Sequence, residues 1–516
     1  MAKRSRAPGP DLFHPSSGAG DHPPGTAAAT AGPPIAADGG ESKRIAIVGA
    51  GIAGLVAAHE LEGLGHQVEI FEAAARIGGR VHTHRFGTGT DAPFVELGAM
   101  RIPAHHTLAM RYITRLGLAD RKRPFKTLLA EADTYLRVGA GYTRVRDAAE
   151  ALVAHYFRDP VHSGYRRETL LFAAWLTTVI DAIAPSDLRR SIRADLDACL
   201  LGLLERTGVH AYLSADRKAD LHAFFQAHPE VRSACSGALR SFLGDILTET
   251  SSELVQLSGG MGQLVDRLAA TLDGLIRRRH EVVGLNAREH DVLMTVRRQG
   301  RVRTERRDYV LCTMPFSVLR RIHLQGIDSD KLAAIRGTVY CPATKVAFLC
   351  REPFWSHEGI TGGASFSAGL VRQTYYPDVE GDPRRGAALL ASYTIGDDAD
   401  RLAGMTAAVR HETVRRELGR MHPELLQPGM VLDAVSLPWG RHRWSAGGCA
   451  IRWDGDASAG ESQRMRAARP QNRLFFAGEH CSSKPAWIDG AIESALTAVG
   501  QIARHRSGTR TVVGAG

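Results

Sequence analysis

The chain of 516 residues is 44% hydrophobic and 23% charged, and it carries a formal net charge of +10. This length implies two or three domains, and the composition is that of an ordinary globular protein. No apolar run of about 18 residues reads as a membrane span, no basic stripe interleaved with aromatics reads as a nucleic-acid surface, and the mild positive bias suits an anionic ligand.

Residues 1–42 contain seven prolines among many Gly, Ala and Ser. They start with basic residues but lack the continuous apolar segment of a signal peptide. Such a stretch buries too little surface to offset its ordering entropy, so a disordered tail is expected. Order begins at "KRIAIVGAGIAGLVAAHELEGLGHQVEIFE". Residues 45–48 form a short apolar run suited to a buried parallel strand. Gly49, Gly51 and Gly54 follow with GxGxxG spacing, residues 55–64 read as a helix, and a second strand ends in Glu72. In a dinucleotide-binding βαβ unit each part has its own task. Gly49 turns the chain. Gly51, with Ile52 and Ala53, brings the helix N-terminus to a pyrophosphate, and Gly54 lets the helix pack on the strand. Glu72, followed by Ala73, is placed to accept from a ribose hydroxyl and argues against a 2′-phosphate.

The next segment, "ARIGGRVHT", supplies Arg76, Gly78, Gly79 and Arg80. A second glycine turn flanked by arginines can wrap the outer side of a pyrophosphate and approach a flavin ring. This "RxGGR" after the ribose acid resembles the flavin-dependent amine oxidase superfamily, which includes monoamine oxidases, polyamine oxidases and L-amino-acid oxidases. Later segments resemble it in the same order. "SGGMGQLVDRLA" looks like the turn and helix leading back into the FAD domain. "RRHEVVGLNAR" looks like the strand that meets adenine, with Val282 at the matching position. "DYVLCTMPFSVLRRI" looks like the following strand and proline turn, and "RLFFAGEHCSSKPAWIDGAIESALTAVGQIA" like the closing flavin motif. There the resemblance places Gly478 and Glu479 toward the ribityl chain. It sets Ile488 to Ile492 at the start of a helix facing the flavin, where a positive helix end favours negative charge.

"VELGAMRIP" holds one arginine, Arg101, in an apolar setting, and a buried arginine needs a partner. Gly98-Ala99-Met100-Arg101 resembles the "GxMR" of L-amino-acid oxidases, in which the arginine holds the substrate α-carboxylate beside the flavin. A planar guanidinium suits that task. The competing expectation is an Arg101 paired with Glu96 or with flavin phosphates. The resemblance also implies a tyrosine hydroxyl beside the clamp, Tyr375 or Tyr376 with Tyr376 preferred. It makes Trp487 an aromatic wall, places Ala486 where the family usually has glycine, and gives Lys345 a water near flavin N5. Arg101, Lys345 and Trp487 are the expected catalytic residues. Cys449 in "GGC" matches the cysteine that carries flavin in monoamine oxidases. Noncovalent FAD is expected here, with a covalent link through Cys449 as the alternative.

The implied architecture is α/β. A discontinuous Rossmann-like FAD-binding domain (43–101, 256–340 and 467–508) joins a mixed-sheet substrate-binding domain (102–140 and 341–466) and a helical insertion (141–255). The implied reaction is FAD-dependent oxidative deamination of an L-amino acid with a large hydrophobic or aromatic side chain. Its products are the imino acid, then the 2-oxo acid, ammonia and, with dioxygen, hydrogen peroxide. The alternatives are an amino-acid 2-monooxygenase giving an amide, and an amine or polyamine oxidase. Phe172, Trp175 and Tyr212 either line the side-chain pocket or pack the insertion. Glu205 or Asp245 would serve a basic substrate. No metal is expected, and His105 and His106 read as surface or loop residues. Seven cysteines without disulfide or zinc spacing suit reduced thiols in a cytoplasmic enzyme. A homodimer without nucleic-acid or membrane partners is expected.

Overall fold

The computed structural model describes residues 42–505 except 236, 368 and 452–456. The tail expected to be disordered therefore lies, but for its last residue, outside the described residues.

Three distant parts of the chain build one parallel sheet. Arg44–Val48 lies at its centre between Gln67–Glu72 and Tyr309–Cys312, with Leu275–Arg278 and Leu474–Phe476 at the edges. Alternation along the first strand separates two cores. Ile45 and Ile47 join the cluster that buries the helices Ile52–Gly63 and Ile488–Arg504, while Ala46 and Val48 join Met294 and Phe316 on the other face. The helix after the first strand starts at Ile52, not at residue 55, because Gly51 is already its N-cap. All these strands run the same way, so their carboxyl ends open on one edge. That edge is where ligands bind in open parallel sheets.

The second layer is a mixed seven-stranded sheet. Its order is Val431–Pro438, Ala343–Cys350, Ala387–Ile395, Gln373–Tyr375, Ala364–Phe366, Tyr135–Val138 and Gly141–Arg144. Residues 141–144 were expected in the helical insertion but are its edge strand, because Gly139 at φ 60° closes a tight hairpin back onto Tyr135–Val138. Helices dominate from Ala149–Tyr156 to Gly237–Glu249. Phe172 and Trp175 are fully buried in the core of that helical part, and the Tyr212 hydroxyl meets His228 Nε2 at 3.1 Å. Glu205 pairs with Arg166 at 2.8 Å and accepts from Thr169. Among the described residues no helix is long and apolar enough to cross a membrane.

A small three-stranded sheet ties the helical part to the rest of the molecule. Leu254–Leu257 pairs antiparallel with both Ile102–Pro103 and Lys122–Pro124. It fixes the residue after Arg101 close to the chain leaving the helix Gly237–Glu249.

Candidate active site

The parallel strands end on a long cleft lined by Gly49, Gly51, Ile52, Ala53, Glu72, Ala73, Arg76, Gly79, Arg80, Ala99, Val282, Gly478, Glu479, Ala486, Trp487 and Ile488. Each Glu72 oxygen accepts one backbone N–H, from Ala50 at 2.8 Å and Ala74 at 2.7 Å. Burial pushes this carboxyl up, against the pull of those amides. Gly54 does not line the cleft. A Cβ there would stand 2.0 Å from the Gly49 carbonyl oxygen, so its part is close packing of helix on strand.

The two arginines of "RIGGR" are more occupied than expected. Arg76 donates to the carbonyls of Gly79 at 2.5 Å and Ile77 at 3.1 Å, within its own turn. Arg80 pairs with Glu479 at 2.7 Å and donates to the Gly448 carbonyl. Glu479 also accepts from the backbone N–H of Ala450 and, at 3.0 Å, of Ala486. Despite desolvation, Arg80 holds the Glu479 carboxyl below its usual range. Glu479 thus ties three loops around the cleft.

Arg101 stands beyond the cleft. Its Nη2 lies 2.5 Å from Glu249 Oε2, its Nη1 donates to the Tyr375 hydroxyl at 3.2 Å, and its guanidinium sits 5.6 Å from the Phe125 ring centroid. Its partner is neither Glu96 nor a group in the dinucleotide cleft. Tyr375 donates to Glu249 Oε1 at 2.9 Å. Tyr376, the preferred tyrosine, faces elsewhere: its hydroxyl meets Ser365 Oγ and His422 Nε2, each at 2.7 Å. Neighbours at the end of an extended segment point to opposite sides, so only one of the pair can reach Arg101.

Lys345 is 4% exposed. Its Nζ donates to the carbonyls of Gly98 at 2.7 Å and Glu96 at 3.1 Å and touches Met100 Sδ. Trp439 Nε1 donates to the carbonyl between them, Leu97 O, at 2.7 Å. Gly98 fits because a Cβ there would lie 2.2 Å from the Arg80 carbonyl oxygen. Three successive carbonyls are therefore held by side chains just before Arg101. Burial lowers Lys345 to about 7 and raises Glu96 to about 7.

The sequence matches the family described as flavin containing amine oxidoreductase over residues 52–503. The chain belongs to this family. It is 57% identical over 459 residues to the flavin-dependent L-tryptophan oxidase RebO of Lentzea aerocolonigenes, covering 89% of this chain and 97% of that protein. It is 26% identical to an L-amino-acid oxidase of Pseudechis australis, covering 88% of this chain and 86% of that one. A putrescine oxidase structure overlays with a TM-score of 0.59 at 20% identity, covering 90% of this chain and 99% of the other. A cyclohexylamine oxidase from Brevibacterium oxydans overlays with a TM-score of 0.60 at 20% identity, covering 90% of this chain and 99% of the other.

The cleft fits the flavin dinucleotide that this family uses. The helices Ile52–Gly63 and Ile488–Arg504 both begin without a side-chain cap, so their first N–H groups are open to a ligand's phosphates and ring. Glu72 keeps unused lone pairs for ribose hydroxyls. Gly98, Met100, Arg101 and Ile492, expected to touch the cofactor, do not line the cleft; Ile492 is buried in the core beneath the closing helix. His106, expected to be a surface or loop residue, lies in the loop before the helix Thr107–Arg115 but is 5% exposed, and its ring meets Trp487 edge-on at 5.2 Å. Burial lowers it to about 4, so it is a neutral ring. Trp444, Met314 and Gly448 line the cleft without having been expected there. The topology gives a signal for Met314, which follows the carboxyl end of a parallel strand. Glu358, His422 and Glu424 converge within 4.8 Å. However, Glu358 and His422 already bond Tyr135, Arg144 and Tyr376.

Proposed function

We propose that the protein oxidises L-tryptophan, or an L-amino acid with a similarly large aromatic side chain, to the imino acid and 2-oxo acid with release of ammonia and hydrogen peroxide. The observation that carries this is the buried guanidinium of Arg101 beside the dinucleotide cleft, in a family whose simple amine substrates need no such charge. The 57% identical L-tryptophan oxidase supports the side-chain class. Bound FAD supplies the hydride acceptor and, with dioxygen, the route to peroxide.

Arg101 grips the α-carboxylate through its planar fork, with the Tyr375 hydroxyl beside it. This orients Cα toward the cleft, the positioning part of catalysis. Lys345 and Trp439 keep the Glu96–Leu97–Gly98 backbone in register, so Arg101 is presented from a rigid segment. Trp487, backed by His106, offers an aromatic wall. The Ala486 N–H donates to Glu479 and so orders this turn. Cofactor binding is noncovalent in this reading. Burial raises the Cys449 thiol well above its ordinary value, which suppresses the thiolate a flavin bond would need. Yellow colour should leave the denatured chain. The division into 43–101, 256–340 and 467–508, 102–140 and 341–466, and 141–255 belongs to the same proposal, with the 141–144 correction. So does a cytoplasmic homodimer, which light scattering at twice the chain mass would verify.

A peroxide-coupled screen of the twenty common L-amino acids tests the reading. L-tryptophan should be fastest, with 2-oxo acid and peroxide formed in equal amounts. An amide product, or best turnover of decarboxylated amines, would overturn it.

A further inference from the structure

Glu249 is the last residue of the helix Gly237–Glu249 and is 2% exposed. A carboxylate there is disfavoured twice, by desolvation and by the negative end of the helix dipole. Among the described residues, Arg101 at 2.5 Å and the Tyr375 hydroxyl at 2.9 Å face it, and that hydroxyl also lies 2.8 Å from Gln373 Oε1. Ile102 pairs with Val255 and Pro103 with Leu254, which holds this segment beside the chain leaving the helix. The antiparallel register sets the Arg101 backbone at the far end of that pairing, and its long side chain makes the contact with Glu249. Phe125 and Tyr375, which both contact Arg101, line a cavity together with Glu96 and Met100.

We propose that Glu249 is an internal counter-ion that competes with ligand carboxylates for Arg101, so that the site admits a zwitterion and discharges a 2-oxo acid. This rests on the amino-acid reading of the site. The pair Arg101–Glu249 is neutral, and so is an entering amino acid. When the substrate carboxylate takes Arg101, its ammonium is available to Glu249, and no buried charge is left unmatched. The 2-oxo acid carries only the negative charge. With it bound, one buried carboxylate is left without its partner. Unpaired buried charges are strongly disfavoured, so Glu249 reclaims Arg101 and product leaves. Aryl carboxylic acids without an amine are rejected for the same reason. Glu249 is thus a specificity-determining residue in the helical part, acting on the ligand through charge rather than through side-chain shape.

The test uses wild-type holoenzyme and Glu249→Gln, comparing the inhibition constant for indole-3-propionate with KM for L-tryptophan. The ratio of inhibition constant to KM should fall at least tenfold in Glu249→Gln and return toward wild type in Glu249→Asp. A merely structural role would weaken both ligands together and leave the ratio alone. In wild type, indole-3-propionate should also bind at least tenfold more weakly than L-tryptophan, read as its inhibition constant against KM. This measurement decides the matter even if Glu249→Gln loses FAD. An unchanged ratio, or wild type that binds indole-3-propionate as tightly as L-tryptophan, overturns the role of Glu249. Wild type that makes no peroxide from L-tryptophan overturns instead the amino-acid reading beneath it.

Discussion

Lys345 shows how much a single buried charge can govern. Burial brings it from 10.5 to about 7. Between those values the unfolded chain binds the proton that the folded protein has lost, so this residue makes stability rise as pH rises through that window. Glu96, raised from 4.5 to about 7, acts in the opposite sense at lower pH: stability from this group falls as pH rises from 4.5 to 7. Melting temperature followed from pH 5 to 10 should therefore carry a dip near neutrality from this pair. Lys345→Met should flatten the alkaline limb and lower kcat/KM by roughly tenfold or more, because the Glu96 and Gly98 carbonyls lose their donor. An unaltered alkaline slope in the variant would contradict the assignment. Ala486 offers a gain instead. It holds φ 69°, a conformation that disfavours any Cβ. Ala486→Gly should stabilise the protein by about 1 kcal/mol or less, read as a higher denaturant midpoint. Individual roles were only partly legible at this scale. Arg101 stood out because a charge in an apolar run demands a partner. Which partner it has depends on Glu249, a residue whose own helix shows no sign of facing Arg101.

At the level of elements, the first strand, turn and helix were legible because the βαβ unit is local: glycines, apolar run and terminal acid all lie within one short segment. Gly54→Ala tests how tightly that unit is drawn. Its new Cβ would lie 2.0 Å from the Gly49 carbonyl oxygen, and backbone there cannot yield without moving the turn. Purified Gly54→Ala protein should lose most of its bound FAD and melt several degrees lower, checked by the visible spectrum and calorimetry. Full flavin content would show that the turn tolerates displacement. The strand Gly141–Arg144 escapes a reading by periodicity because its pairing depends on a hairpin turn, and the choice between Tyr375 and Tyr376 depends on which face of the segment meets the helical part. Neither is encoded by spacing alone.

Across the whole molecule, the parallel sheet draws on segments centred near residues 46, 70, 276, 310 and 475, and the site exists only where their ends meet the mixed sheet. Ordered motifs made this assembly foreseeable, since each carried its own glycine or acid. Around Arg101 the sequence marked the arginine but not its partner. The contacts join Arg101 to Tyr375 and Glu249 across long stretches of chain, and they form only when the helical part docks on the sheets. The central claim is that Arg101 makes an amine-oxidising fold selective for amino acids. Wild-type and Arg101→Ala holoenzyme should be compared for peroxide formed from L-tryptophan and from tryptamine, its counterpart without the carboxylate. Wild type should prefer L-tryptophan by several orders of magnitude in kcat/KM. Arg101→Ala should retain FAD but lose roughly a hundredfold or more with L-tryptophan, while its turnover of tryptamine does not fall in parallel. Undiminished oxidation of L-tryptophan by the FAD-loaded variant would contradict the account.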